Sequence, residues 1–154
     1  MGDIGEDMAE QMAEQFFASR GHGVLSLADE NTGYGIPISY GYDPTTSRCV
    51  IQLVSEPESQ KRSFFETSET VTLTTYDYDS NDNWQSAIAT GSLVSLSDEE
   101  VATWAAAVYF NQAAQTDTPV RQEGSDREIS WHAFEVDSLT GRQGTEERGS
   151  TTFK

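Results

Sequence analysis

This chain of 154 residues contains very little cysteine and histidine, the residues that most often bind metals or supply a reactive thiol. Cys49 is the only cysteine, which excludes an internal disulfide and a thiolate metal cluster. It lies in the apolar run CVIQLV, which predicts a small buried hydrophobe without a reactive thiol. His22 and His132 are the only histidines, and neither has a carboxylate at the spacing of a metal motif. The sequence therefore predicts no metal site and gives no support for a haem ligand.

Long apolar runs and common nucleotide or nucleophile motifs are also missing. No run approaches the roughly 20 apolar residues that a membrane-spanning helix needs. The first stretch, MGDIGEDMAEQMAEQ, is acidic where a secretory signal is basic and then apolar, so we expect a cytoplasmic protein. The patterns G-x-S-x-G, G-x-x-x-x-G-K-[ST] and G-x-G-x-x-G do not occur.

Positive charge is scarce. Nine Lys and Arg residues stand against 26 Asp and Glu, for a formal net charge of -17, and Lys61 and Lys154 are the only lysines. Such a field repels a phosphate backbone, which argues against nucleic acid as a partner. The acidic composition resembles that of cytosolic proteins from salt-accumulating halophiles. Molar salt shortens the screening length to about 3 Å, so we expect stability to rise with salt.

The length and a hydrophobic content of 36% suit one domain with its own core. Residues 3–19 carry Met8, Met12 and Phe16 at intervals of four, which predicts an amphipathic helix with that stripe packed on the core. Gly21 and Gly23 end the helical pattern.

Six segments have strand character, and short connections join most of them. Gly91 lies inside the fifth segment, where glycine indicates a bulge or a barrel corner. The first two segments and the turn DENTG predict a hairpin, whereas DYDSNDN predicts a loop. After the sixth segment we expect a tail that is frayed or docked on a partner. The segments cover residues 23–28, 34–42, 49–55, 70–76, 84–95 and 128–136.

One helix has a clear start. Ser97 and Glu100 form the capping box of the sequence SDEE. The order of the helices and strands favours a mainly β fold, an antiparallel barrel with peripheral helices, over a parallel sheet with a helix after each strand. The apolar face of the capped helix contains Val101, Trp104, Ala105 and Val108.

Lys61 and Arg62 are adjacent in the first turns of a short predicted helix at residues 59–66. Unpaired backbone N–H groups and the helix dipole favour a phosphate there, and Ser59 adds a hydroxyl group. The same two cations can instead merely offset nearby carboxylates on a solvated face. Spacing alone leaves both interpretations open.

Four stretches in this order resemble the FMN-binding split-barrel family, the pyridoxamine 5'-phosphate oxidase-like proteins. They are GVLSLADENTGYGIPISYGYD, VIQLVSEPESQKR, WQSAIATGSLVSLSDEE and WHAFEVDSLTGR, and the resemblance covers roughly residues 21–137. A helix at residues 1–20 precedes this region and a tail at residues 138–154 follows it. The resemblance implies a split antiparallel β-barrel of about six strands and a homodimer with FMN at its interface.

The resemblance also implies a set of cofactor-binding residues. Lys61 would contact the FMN phosphate, with Ser59, Gln60 and Arg62 in neighbouring positions of the motif. Pro37 lacks an N–H group, so its position is predicted to be at a sheet edge, at a bulge or next to something other than a strand, and a ligand could lie against that gap. The ring and ribityl contacts implied are Ile36, Pro37, Ile38, Ser39, Val54, Ser55, Gln85 and Ser86.

The chain departs from the family pattern at two positions. Gln60 stands where many members have Arg, and Arg62 can take its place. Tyr40 stands where vitamin B6 oxidases place a Lys for the substrate phosphate, and no Arg and Tyr set follows Gly91. These departures argue against oxidation of pyridoxamine phosphate.

The leading hypothesis is an FMN-binding oxidoreductase with a small redox partner such as NAD(P)H. One alternative is a carrier or sensor that holds FMN, a deazaflavin or haem without turnover. Another is an interaction module without a ligand. Trp84, Trp104 and Trp131 are interpreted as core or interface residues, although Trp84 and Trp131 could reach a flavin at a dimer interface.

Overall fold

The computed structural model describes residues 5–55, 64–65, 68–112 and 128–145, and these residues form an antiparallel sheet with helices at its periphery. Phe64 and Phe65 are helical. The strands are β1 (Glu6–Asp7), β2 (His22–Asp29), β3 (Thr32–Asp43), β4 (Arg48–Ser55), β5 (Val71–Ser80), β6 (Asn83–Ser95) and β7 (Glu128–Gln143). The helices are α1 (Glu10–Arg20), α2 (Asp98–Glu100) and α3 (Ala106–Gln112), and a π-helical turn, Val101–Ala105, joins the last two.

The sheet closes on itself. Its strand order is β1-β7-β4-β3-β2-β5-β6, and a further pairing joins β7 to β6. Six strands therefore form a ring, and β1 adds to the far part of β7. This arrangement confirms the predicted split β-barrel.

The first hairpin has a two-residue turn. Glu30 and Asn31 have φ angles of 46° and 68°, the left-handed pair that matches the twist of the flanking strands. The turn aligns Asp29 with Thr32 and His22 with Ser39 at the ends of the ladder. The predicted hairpin is thus confirmed.

Gly91 marks a bulge, as predicted. The β6–β7 register shifts there, because Thr90 lies opposite Ser138 and Gly91 opposite Val136, which leaves Asp137 as the extra residue. A Cβ atom on Gly91 would lie 1.8 Å from the Glu135 carbonyl oxygen. The close approach of the two backbones therefore requires glycine.

The prediction for the first 20 residues was partly wrong. Helix α1 begins at Glu10, and Glu6–Asp7 form a strand against β7. The buried side chains of α1 are Ala13, Phe16 and Phe17, whereas Met12 is 44% exposed. Because the helix starts later than its apolar repeat suggested, Met8 reaches the core from the connecting segment.

Two strands extend beyond their predicted ends. Asp77–Ser80, predicted as loop, continue β5, and Ser80 is aligned with Asn83 across a tight turn. Residues 137–143, predicted as tail, continue β7 and pair with β6 and β1. The side chains of these residues are mostly polar, so they show no apolar alternation that would predict a strand. The pairing itself is made by backbone groups and does not need that pattern.

The capped helix begins as predicted. The Ser97 hydroxyl oxygen accepts from the Glu100 N–H group, and the Glu100 carboxylate accepts from the Ser97 N–H group at 3.2 Å. The helix packs across β3 and β4, where Ala105 and Tyr109 cover Val50. No helix in the described part of the chain is both long and apolar enough to cross a membrane.

Candidate functional site

The barrel is split between β3 and β4. The two strands pair from Asp43 and Arg48 to Tyr40 and Ile51, and within the described residues no further pair joins them. Beyond that point β3 remains paired with β2, and β4 with β7. The strands therefore diverge beside Pro37 and Ser39.

The backbone of β3 turns polar groups towards this split. The Tyr40 N–H group donates to the Gly21 carbonyl oxygen at 2.9 Å on the β2 side. Backbone groups alternate sides along a strand, so those of Pro37 and Ser39 point the opposite way, towards β4. Pro37 contributes only a carbonyl group, as its missing N–H group predicted.

The side chains of the predicted β3 residues divide between two faces. Ile36 and Ile38 pack against the barrel core, so only their backbone atoms are available to a ligand. Pro37 is exposed and Ser39 is half-buried on the outer face. The structure thus offers this outer face, together with the β3 backbone, as a ligand surface.

Val54 and Ser55 lie on β4, the strand across the split from the β3 residues. Val54 is half-buried and aligned with Ile129 of β7, and the backbone of Ser55 is aligned with Glu128. The predicted phosphate contacts lie outside the described residues: Ser59, Gln60, Lys61 and Arg62.

Gln85 and Ser86 lie on β6, opposite Asp77 and Tyr76. Adjacent residues of a strand face opposite ways, so only Ser86 shares the outer face with Pro37. Three strand spacings, about 14 Å, separate β3 from β6. The structure therefore places Ser86 on the same face as the β3 residues but not in contact with them.

An open groove of about 380 Å³ lies on the outer face of β3, β2 and β5. Pro37 is the only predicted site residue in its lining. The side chains that sequence reasoning missed come from the end of α1, from β2 and from β5, where the alternation in TYDYD was the available signal. The lining residues are Arg20, His22, Gly23, Val24, Pro37, Thr74, Thr75, Tyr76, Asp77 and Tyr78.

Arg20 and His22 supply the cationic side of this groove. One guanidinium nitrogen of Arg20, Nη2, donates to the Tyr76 carbonyl oxygen at 3.1 Å and lies 3.4 Å from His22 Nε2. The Arg20 Nε atom is buried and has no acceptor within the part of the chain that the structure describes. The hydrogen-bonding capacity of the guanidinium group is therefore only partly used.

The remaining titratable groups of interest are inside the barrel. Cys49 is fully buried, as predicted, and this burial raises the pKa of its thiol. Burial also raises the pKa of Tyr40, whose hydroxyl group donates to the Phe17 carbonyl oxygen at 2.5 Å. The Tyr40 hydroxyl group is therefore buried and already bonded, and a phenol cannot supply the positive charge with which a Lys contacts a substrate phosphate.

His132 is a buried histidine, 7% exposed, and its ring lies beside Phe65 with ring centroids 5.9 Å apart. Among the described residues its Nδ1 atom has no hydrogen-bond partner, and burial lowers the pKa of its imidazole. His22, by contrast, is exposed at the groove.

A six-stranded antiparallel ring with a split and a groove on its outer face defines a split-barrel protein. The sequence model described as pyridoxamine 5'-phosphate oxidase matches residues 9–143, and the chain belongs to that family. No curated protein matches the sequence significantly.

Solved structures share the fold at low sequence identity. A conserved protein of unknown function from Corynebacterium diphtheriae has a TM-score of 0.68 at 12% identity, over 93% of this chain and 100% of that one. An FAD-binding protein from Mesorhizobium loti has a TM-score of 0.64 at 12% identity, over 94% and 100%. The FAD and heme binding protein from Mycobacterium smegmatis has a TM-score of 0.64 at 12% identity, over 95% and 77%.

Proposed function

We propose that this chain binds a flavin, FMN in the first place, at the split between β3 and β4 and acts as a flavin-dependent oxidoreductase. The observation that carries the proposal is the split, where the backbone groups of Pro37 and Ser39 point away from the β2–β3 pairing and towards β4. The relatives from Mesorhizobium loti and Mycobacterium smegmatis, described as FAD-binding and as FAD and heme binding, support a flavin on this fold.

Backbone groups of β3 can pair with two of the three polar groups on the edge of a flavin ring, one carbonyl group and the N–H group, and the second ring carbonyl needs a donor from elsewhere. The pyrimidine edge of an isoalloxazine ring carries two carbonyl acceptors and one N–H donor. Ser39 offers a backbone N–H and a carbonyl group on the side of the split, and Pro37 offers a carbonyl group there. Ile36 and Ile38 anchor this backbone in the core, which keeps it rigid.

Phe64 is buried and stacks on Tyr34 of β3, with ring centroids 5.2 Å apart. Lys61 precedes Phe64 by three residues in the sequence. We propose Lys61, with Ser59, Gln60 and Arg62, as the phosphate contacts on the family pattern, and these four residues lie outside the described part of the chain.

The remaining family positions lie on β4 and β6. Val54 and Ser55 would border the ribityl chain or the ring edge from β4. Gln85 and Ser86 of β6 lie three strand spacings from β3, so we do not place them at the ring within one chain. When bound, the flavin supplies the redox chemistry by accepting and releasing a hydride. The chain's residues have to orient the flavin and exclude water, so no general base is required.

The first experiment is the visible spectrum of the protein purified in molar KCl, followed by titration with FMN. Flavin absorbance or saturable FMN binding supports the proposal, and a Soret band identifies haem instead. Purification without a chromophore and no binding of added FMN or deazaflavin would exclude a flavoprotein.

Lys61→Ala tests the phosphate contact. Loss of one charge-assisted hydrogen bond costs about 1.5 to 3 kcal/mol, so FMN affinity should fall about ten-fold or more. Lys154→Ala is the matched control, because it removes the only other lysine. Equal FMN affinity of Lys61→Ala and the control would favour mere charge balance at Lys61.

Turnover separates an oxidoreductase from a carrier or sensor. The FMN-loaded protein is mixed with NADH or NADPH without oxygen, and a dye acceptor is then added. Bleaching of the flavin followed by multiple turnovers supports an enzyme. Bleaching without transfer to any acceptor supports a carrier or sensor. We do not propose pyridoxamine phosphate as the substrate, since Tyr40 is buried.

We also propose a homodimer with the flavin at its interface. Ile88 and Val94, at alternating positions of β6, are each 44% exposed and lie outside the lining of the groove. Exposed apolar side chains that lie on one face are typical of a contact surface. Light scattering should give about twice the chain mass of 17.0 kDa. A monomer at micromolar concentration in molar salt would contradict the dimer.

A further inference from the structure

The groove beside the split combines a cation with exposed aromatic rings. Arg20 is held at its floor by the Tyr76 carbonyl oxygen, and its buried Nε atom has no acceptor among the described residues, so the terminal nitrogens are the ones that can contact a ligand. In the described part of the chain no carboxylate forms an ion pair with Arg20, whereas Arg142 pairs with Asp7 at 2.6 Å. Arg20 therefore keeps its charge available in a chain whose net charge is -17.

The aromatic side of the groove is formed by Tyr76 and Tyr78, which are 62% and 58% exposed. They lie two residues apart on β5, so their rings project from the same face of the strand. The Tyr78 hydroxyl group donates to the Asn81 side-chain oxygen at 2.7 Å, which fixes the direction of that ring. Val24 and Pro37 complete an apolar floor beside them.

From these contacts we infer that the groove binds a planar aromatic carboxylate. The planar fork of a guanidinium group matches the two oxygens of a carboxylate, and exposed tyrosine rings stack with an aromatic ring. Asp77 also lines the groove, and its negative charge favours a monoanion over a doubly charged phosphate ester. His22 adds a second polar contact next to Arg20.

Pro37 belongs both to this groove and to the proposed flavin site. A bound aromatic acid would therefore lie beside the flavin, as a substrate or as a competitor of one. That role rests on the proposed function, whereas binding of the acid by the protein alone does not.

The experiment is calorimetric titration of the protein with benzoate at a fixed KCl concentration, without added flavin. We expect saturable binding at one site per chain. Benzamide, which has the same shape without the charge, should bind at least ten-fold more weakly, and cyclohexanecarboxylate, which cannot stack, several-fold more weakly.

Variants locate the site. Arg20→Gln should weaken benzoate binding at least ten-fold, and Tyr76→Ser several-fold, since Tyr76 is exposed and its removal leaves the fold intact. Arg142→Gln is the matched control with the same charge change, and it should bind as the unmodified chain does. Thermal unfolding of each variant verifies that it is folded.

Absence of benzoate binding, or equal binding by Arg20→Gln, Tyr76→Ser and the unmodified chain, would overturn the inference. The result is independent of the flavin experiments. FMN binding without benzoate binding removes the groove assignment alone, and benzoate binding without FMN binding removes the flavin proposal alone.

Discussion

Single residues decide whether the barrel can close. Gly91 allows β6 to approach the Glu135 carbonyl oxygen of β7, because any residue with a Cβ atom would collide with that oxygen. Gly91→Ala should therefore lower the free energy of unfolding by about 1 to 3 kcal/mol, through forced displacement of the two backbones. Urea unfolding measures this loss.

Gly33→Ala is the control for Gly91→Ala, because a Cβ atom on Gly33 meets nothing within 4 Å. The control should be neutral or slightly stabilising. Equal stability of the two variants would contradict the close approach of β6 to β7.

His132 predicts a pH dependence of stability. Its register partners are Ile51 and Ser95, and Phe65 lies against its ring, so burial lowers the pKa of the imidazole below its ordinary 6.5. The unfolded chain then takes up a proton at a higher pH than the folded chain. Stability is therefore complete above about pH 6.5 and falls as the pH drops below it. Thermal unfolding between pH 7.5 and 5.5 measures the slope.

His132→Gln should flatten that slope, since it removes the titrating group. His22→Gln should keep it, because His22 is exposed. If both variants show the unmodified slope, other groups cause the pH dependence.

At the scale of helices and strands, the capping box of α2 is the clearest local signal. Ser97→Ala removes the hydroxyl group that accepts from the Glu100 N–H group. We expect a loss of about 1 kcal/mol, measured by urea unfolding. Ser26→Ala, on the exposed face of β2, is the control and should have little effect. A loss of the same size in both variants would show that the cap contributes nothing specific.

The sequence predicts elements where the signal is local. The strand at residues 70–76, which is dense in β-branched residues, the capping box and the interior Gly91 each had a local signal, and each is confirmed. The late start of α1 and the long end of β7 were missed, because polar residues on both faces give no periodic pattern.

The candidate site shows the same division. Pro37 indicated a gap in the ladder through its missing N–H group, and the divergence of β3 and β4 lies beside it. The groove could not be predicted, because Arg20 and Tyr76 are 56 residues apart in the chain and meet only through sheet pairing. The roles of Ser59, Gln60, Lys61 and Arg62 stay predictions, as those residues lie outside the described part.

For the whole molecule, the net charge of -17 predicts a dependence on salt. Repulsion among carboxylates destabilises the compact state, and salt screens it. The melting temperature should therefore rise between dilute buffer and molar KCl. The triple variant Glu10→Gln, Glu30→Gln, Glu99→Gln removes three exposed negative charges, so its melting temperature should rise less with KCl. A melting temperature independent of KCl would contradict a halophile-type surface.

The ring is closed by the strand that the ribosome makes last among the seven. β7 lies between β4 and β6, so until residues 128–143 have emerged the nascent sheet has two open edges. Exposed edges of this kind recruit other strands, and long-range pairings form slowly. Electrostatic repulsion between the acidic side chains would oppose association of such incomplete barrels during translation. The surface charge would then act on solubility before folding is complete.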